Sequence, residues 1–348
     1  MMIVKLRQHR RMKRNTILGL FLLPLWSVVL GIACSNASDS PPPPEPFTEE
    51  IPPALFASGI AYDHARNAFV VFGGQSSDGS TNSSTTYEWD RTTWIRKNIQ
   101  GPSARYWTSM AYDQSRGRIV LFGGTRASAI GDTWEYDGTT WRSIAVSGPG
   151  ARFAHEVTYD TRRGVALLFG GSTGPARLND LWSWNGTQWQ MLSNGQGPTG
   201  RAAFGMAYDT SRGELVVFGG FSAFGSQGVT QHGDTWVWDG IQWSLKNAQT
   251  SELTARDHVS MAYDAARQRV VLFGGNVVTN NVFQEQKDTW EWDGQEWTLK
   301  NSNGPTIQSG HRILYHPQLR RVVLWTGTNS TPPSAIWAWN GTQWQLVE

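Results

Sequence analysis

The sequence predicts an all-β chain folded as a ring of small antiparallel sheets, and three repeated features carry that prediction. The first is an aromatic-x-aromatic-Asp/Asn step that occurs six times: Tyr87-Glu88-Trp89-Asp90, Trp134-Glu135-Tyr136-Asp137, Trp182-Ser183-Trp184-Asn185, Trp236-Val237-Trp238-Asp239, Trp290-Glu291-Trp292-Asp293 and Trp337-Ala338-Trp339-Asn340. Each is followed, five residues past its second aromatic, by Trp94, Trp141, Trp189, Trp243, Trp297 or Trp344. The second is an upstream tyrosine step, Tyr62-Asp63 through Tyr263-Asp264, which degenerates to Tyr315-His316 in the last copy. The third is an apolar run that closes on a glycine pair, from Gly73-Gly74 to Gly274-Gly275; the sixth copy keeps only Gly327. A period of about 50 residues indicates a toroidal array of supersecondary units rather than one ordinary core.

Each unit reads as four strands, a to d. Strand a precedes the repeat tyrosine. Strand b is a short β-branched or aromatic run bounded by glycine, such as Val70-Val71-Phe72 or Val270-Val271-Leu272-Phe273, as a buried strand should be. Strand c carries the aromatic pair, whose spacing puts both rings on one face because side chains alternate with period two. Asp137-Gly138, Asn185-Gly186, Asp239-Gly240, Asp293-Gly294 and Asn340-Gly341 then predict tight type I′ hairpins into strand d. Asp90-Arg91 lacks the glycine, so a longer or different turn is expected there.

The unit resembles the kelch repeat, whose signature is a double glycine, a spaced aromatic and a tryptophan, and the resemblance extends from Ile51 to the C-terminus. Kelch repeats form the four-stranded blades of β-propellers, so the resemblance implies a six-bladed β-propeller with strand a innermost. Galactose oxidase shares this architecture, but its copper chemistry uses a tyrosine joined to a cysteine. The repeats contain no cysteine, so neither that activity nor a cofactor is expected.

The organisation read from sequence is a signal peptide over 1–33, a Pro-rich tether over 34–51 and the propeller over 52–348. Lys5, Arg7, Arg10, Arg11, Lys13 and Arg14 precede an apolar stretch from Ile17 to Ala33, the pattern of a secretory leader. Cys34, the only cysteine, sits where a bacterial lipoprotein would be lipidated; cleavage after Ala37 and a retained anchor are the alternatives. The expected location is extracytoplasmic, either membrane-anchored through Cys34 or secreted. The leader holds six of the 30 basic residues and none of the 28 acidic ones, which leaves the mature domain near −4 and gives no footprint for nucleic acid. A monomer is expected.

Several motifs read as construction. The Asp-x-x-Arg pairs from Asp63/Arg66 to Asp264/Arg267 suit a–b turns, where the carboxylate accepts backbone hydrogen bonds and the guanidinium bridges back. Asp-Gly-x-x-Trp is one residue short of a sialidase Asp box. There is no Gly-x-Ser-x-Gly elbow and no His-Glu-x-x-His helix, and the seven histidines are scattered, so no metal site is predicted. All the tryptophans except Trp26 fall in the repeats and read as packing; a sugar-stacking role is conceivable only for off-pattern ones such as Trp107.

With strands alternating up and down, the b–c and d–a loops share one face, and the b–c loops vary most, those at 221–234 and 276–288 being longest. Recognition usually resides in variable loops on a rigid scaffold. Arg105, Arg152, Arg201 and Arg256 each stand seven residues before the repeat tyrosine, with Leu55 and Gln308 in their place in the first and last units. They read either as a ring of anion-binding guanidinium groups or as ties between blades. Within strand a, the positions five and three before the tyrosine are mostly small. Trp107, His258, Glu156 and Arg312 break that rule, which makes them candidate ligand-binding residues. The expected function is a binding module for an extracellular carbohydrate or protein. The alternative is a carbohydrate-active enzyme, resembling kelch-type sialic-acid epimerases, with Glu156 or His258 as acid/base groups.

Overall fold

The computed structural model describes residues 47–225, 228–246, 252–280, 282–307, 310–327 and 335–347. The segment 1–33 read as a signal peptide, Cys34 and Gln308 lie outside the described residues. Within them the chain is all-β. Six antiparallel sheets follow one another along the chain, each with its strands in the order a-b-c-d. The a strands are Gly59–Asp63, Ser109–Asp113, Glu156–Asp160, Gly205–Asp209, Ser260–Asp264 and Arg312–His316. Each contacts the a strand of the next blade, and the last contacts the first, so all six surround one axis. This is the six-bladed propeller.

The apolar pattern explains the ring. The b strands, such as Ala68–Phe72 and Arg269–Phe273, are apolar on both faces because each packs between the two blades that flank its own. Six core clusters result, one per blade interface. The closing interface joins Tyr62, Phe69, Trp89 and Trp94 of blade 1 to Val323, Trp325, Ile336 and Ala338 of blade 6. The Leu55 amide also donates to Gly327 O at 2.5 Å across this seam. Among the described residues no C-terminal strand enters blade 1. Instead Phe47–Glu49, the end of the segment read as a tether, pairs with strand d Trp94–Lys97 and makes blade 1 five-stranded.

The strand d tryptophans reach back to the preceding blade. The Nε1 groups of Trp141, Trp189, Trp297 and Trp344 donate to Thr86, Thr133, Thr235 and Thr289, each at 2.9 Å. Trp243 has no such partner because Leu181 stands where the threonine would be.

The c–d turns differ from the expected type I′. In blade 2, Tyr136 pairs with Trp141, so the loop is 137–140. Gly138 has φ 95°, but Asp137 is not in the left-handed region. The Asp137 carboxylate instead accepts from the amides of Thr139 and Thr140, at 2.8 and 2.7 Å, and this capping builds the turn. Blade 1 has neither a longer nor a different loop. Trp89 pairs with Trp94, Asp90 caps in the same way, and Arg91 is held at φ 84° where the other blades use glycine. Relieving that conformation by Arg91→Gly should stabilise the protein by about 1 kcal/mol, measured by urea denaturation.

The a–b turns are built by the Asp-x-x-Arg pairs. Asp63 accepts from the amides of Ala65 and Arg66, each at 3.0 Å, and from Arg66 Nε at 2.9 Å; Arg66 Nη1 then reaches Glu88 at 2.7 Å. Asp113, Asp160, Asp209 and Asp264 repeat the carboxylate contact to the arginine three residues on.

Candidate functional site

The four repeated arginines are clamps, which corrects the reading of them as a ligand-binding ring. Arg105, Arg152, Arg201 and Arg256 are fully buried. Each forms an ion pair with an aspartate at the start of its own strand c: Asp132, Asp180, Asp234 and Asp288 respectively. Each also donates to the carbonyl of the first glycine after strand b: Gly123, Gly170, Gly219 or Gly274. The guanidinium thus ties the b–c crossover of its own blade, and its donors are consumed there. The sequence held a signal for this. Blades 1 and 6 lack the arginine, and they also lack the aspartate, having Thr85 and Ala335 there.

The small residues five before the tyrosine have a cause other than crowding. Ala57, Trp107, Ala154, Ala203 and His258 all lie in the left-handed region, at φ 51–56°, and Gly310 is at φ 92°. The first five are linked by an arc of backbone hydrogen bonds around the axis. The amide of Trp107 donates to Ala57 O at 2.9 Å, Ala154 to Trp107 O at 3.1 Å, Ala203 to Ala154 O at 3.0 Å and His258 to Ala203 O at 2.7 Å. A repeated left-handed non-glycine position is strained, and such strain persists only when the surroundings enforce it.

Two members of this arc carry large side chains. Trp107 and His258 come from blades 2 and 5, which face each other across the axis, and their rings meet at 5.1 Å. Phe56 packs edge-on against Trp107 at 5.0 Å, and Phe221 stacks at 6.2 Å on His258. All four are half-buried. His258 Nδ1 is paired with Asp257 Oδ1, and Asp257 Oδ2 accepts from Gln231 Nε2 at 2.8 Å. Gln231 also bonds Asn276 O and the Val278 amide. It therefore joins two hairpins, Phe221–Gly225 with Gly228–Gln231 and Asn276–Thr279 with Val282–Glu285, which are the long b–c connections of blades 4 and 5. Asp257 and Gln231 were not singled out from sequence, although Asp257 is the only acidic residue six before a repeat tyrosine.

Deeper in the channel, Glu156 of blade 3 forms an ion pair with Arg312 of blade 6, again across the axis. Ser109 Oγ donates to Glu156 Oε2 at 3.1 Å. Arg312 is 8% exposed. Both residues line a cavity of about 330 Å³ that follows the six a strands to the a–b turns.

Two histidines make stability pH-dependent. Burial, reinforced by the charges of Arg152 and Arg312, pushes His155 down to about 3. Burial, reinforced by Arg91, pushes His316 down to about 4. Both are neutral in the fold and become charged in the unfolded chain below about pH 6.5, so the unfolded state binds more protons and stability falls as pH falls. Each should cost about 1 kcal/mol by pH 5.5, well above the carboxylate range. Urea denaturation between pH 7 and 5.5 measures this slope, and His155→Leu should flatten it.

The fold and its central site define a kelch-type propeller, an architecture that typically serves as a protein-interaction module. The chain belongs to the kelch-repeat family: the KLHDC2/KLHL20/DRC7 Kelch-repeats domain matches residues 59–240, more than half of it. No curated protein matched the chain.

Proposed function

We propose that this propeller is an extracytoplasmic binding module that recognises a protein ligand on its b–c loop face. The observation that carries this reading is the pair of hairpins from blades 4 and 5, pinned together by Gln231 beside the half-buried Trp107–His258 cluster. At the tip of the blade 5 hairpin, Val282 and Phe283 are 57% and 49% exposed. Exposed apolar side chains on a loop hairpin suit a protein surface, since aromatic residues enrich the cores of such interfaces. The leader and Cys34 support attachment to the outer face of a membrane. The acid/base alternative would set Glu156 or His258 beside the repeat arginines, and those four guanidinium groups are consumed as clamps.

A photo-crosslinking residue at position 283, introduced in cells, tests the reading. It should capture one protein partner, and Trp107→Ala should abolish capture. Phe283→Asp should do the same while changing stability by no more than about 0.5 kcal/mol. Glycan binding that depends on Trp107, without a protein adduct, would make the ligand a carbohydrate. Cys34→Ser should release the protein from the membrane fraction.

A further inference from the structure

The central cavity reaches the a–b turn face, which is not the face assigned to the protein ligand. None of the left-handed arc residues lines it. Its lining instead includes His64, Gln114, Thr161 and Thr210, all exposed residues of the a–b turns. The mouth is therefore on the a–b turn face, and the Glu156–Arg312 pair stands at the deep end. A volume of about 330 Å³ falls within the range of small-molecule pockets.

The deep end is asymmetric in a useful way. Ser109 Oγ accepts from the Val157 amide at 2.9 Å and donates to Glu156. Three blades on, Ser260 Oγ accepts from the Ile313 amide at 2.9 Å, but its neighbour is Arg312, another donor. Among the described residues the Ser260 hydroxyl proton has no acceptor. A molecule entering the cavity thus meets the Ser260 hydroxyl beside a Glu156–Arg312 pair bonded to itself, and a zwitterion would exchange that mutual contact for one with each of its own charges. The next ring toward the mouth is Ala61, Ala111, Thr158, Ala207, Ala262 and Leu314, apolar at every position but Thr158.

We propose that the channel is a binding site for a small zwitterion, an aliphatic α-amino acid. Its carboxylate takes the Ser260 hydroxyl and the Arg312 guanidinium, its ammonium takes Glu156, and its side chain lies along the alanine wall toward the mouth. An ion pair lining a cavity is the charge complement of a zwitterion, and the low-dielectric surroundings strengthen each contact. This site is independent of the loop-face reading.

Calorimetry and thermal denaturation of the purified protein with L-leucine, N-acetyl-L-leucine and L-leucinamide test the proposal. L-Leucine at millimolar concentration should raise Tm, and blocking either charge should remove the effect. Ser260→Ala, which leaves the Ile313 amide without its acceptor, should lower the ligand-free Tm and, measured below that Tm, bind leucine about tenfold more weakly, the loss of one charge-assisted hydrogen bond. If no aliphatic amino acid shifts Tm or gives binding heat, the proposal is overturned. It is equally overturned if the blocked derivatives bind as well as leucine, or if Ser260→Ala leaves leucine affinity unchanged.

Discussion

Arg152→Ala should destabilise the propeller by about 3–5 kcal/mol, read as a lower urea midpoint with an unchanged slope. Arg152 Nε donates to Gly150 O at 3.0 Å, Nη1 to Gly170 O at 3.0 Å and to Asp180 at 2.7 Å, and Nη2 to the second Asp180 oxygen at 2.7 Å. The two side chains are 2% and 13% exposed. Truncation would leave a carboxylate and two carbonyls without their donor in a site that water barely reaches. Burial raises the Asp180 pKa, but the hydrogen bond and charge of Arg152 outweigh it and hold the group below its ordinary value. Arg152→Lys should recover only part of the loss, because an ammonium cannot span both carboxylate oxygens and the carbonyls at once. The double variant Arg152→Leu/Asp180→Leu should be more stable than Arg152→Ala, since it leaves no charge stranded. A loss of less than about 1 kcal/mol in Arg152→Ala would refute the clamp and return the arginine to the surface-like class.

The second large effect belongs to the pair that crosses the axis. Glu156→Ala should cost about 3 kcal/mol because it strands the buried Arg312 guanidinium. Glu156→Ala/Arg312→Ala should cost less than the sum of the single variants, with a coupling of about 2 kcal/mol in a double-mutant cycle. The residues are 156 apart in sequence and sit on opposite blades, so the coupling exists only while the ring is closed. It therefore reports on closure, which here rests on the packing of blade 6 against blade 1 and not on a shared strand. Additive single effects would show that the two side chains do not meet in solution.

How legible the molecule was depended on repetition. The six Trp-x-Trp-type steps, the glycine pairs and the Asp-x-x-Arg turns each appear in five or six copies, so accidental matches average out and the strand order follows from local spacing. The turn chemistry was less legible. Asp-Gly suggested positive φ at both residues, whereas the Asp137 side chain captures the next two free amides and leaves only Gly138 left-handed. Arg91 at φ 84° shows that the surrounding hairpin enforces the turn even without glycine.

The sequence by itself determined the blade count, the four-strand order and the small-residue rule near the axis, because these depend on contacts within a repeat or between neighbouring ones. Only the tertiary structure decided what the exceptions do. Arg105, Arg152, Arg201 and Arg256 face inward to aspartates about 30 residues downstream, a pairing set by how each b–c connection folds back. Trp107 meets His258, and Glu156 meets Arg312, because a closed ring of six sets every blade opposite the one three further on. That opposition is a property of the whole circle. No window of sequence contains both partners, and their contact forms only when the last blade packs against the first.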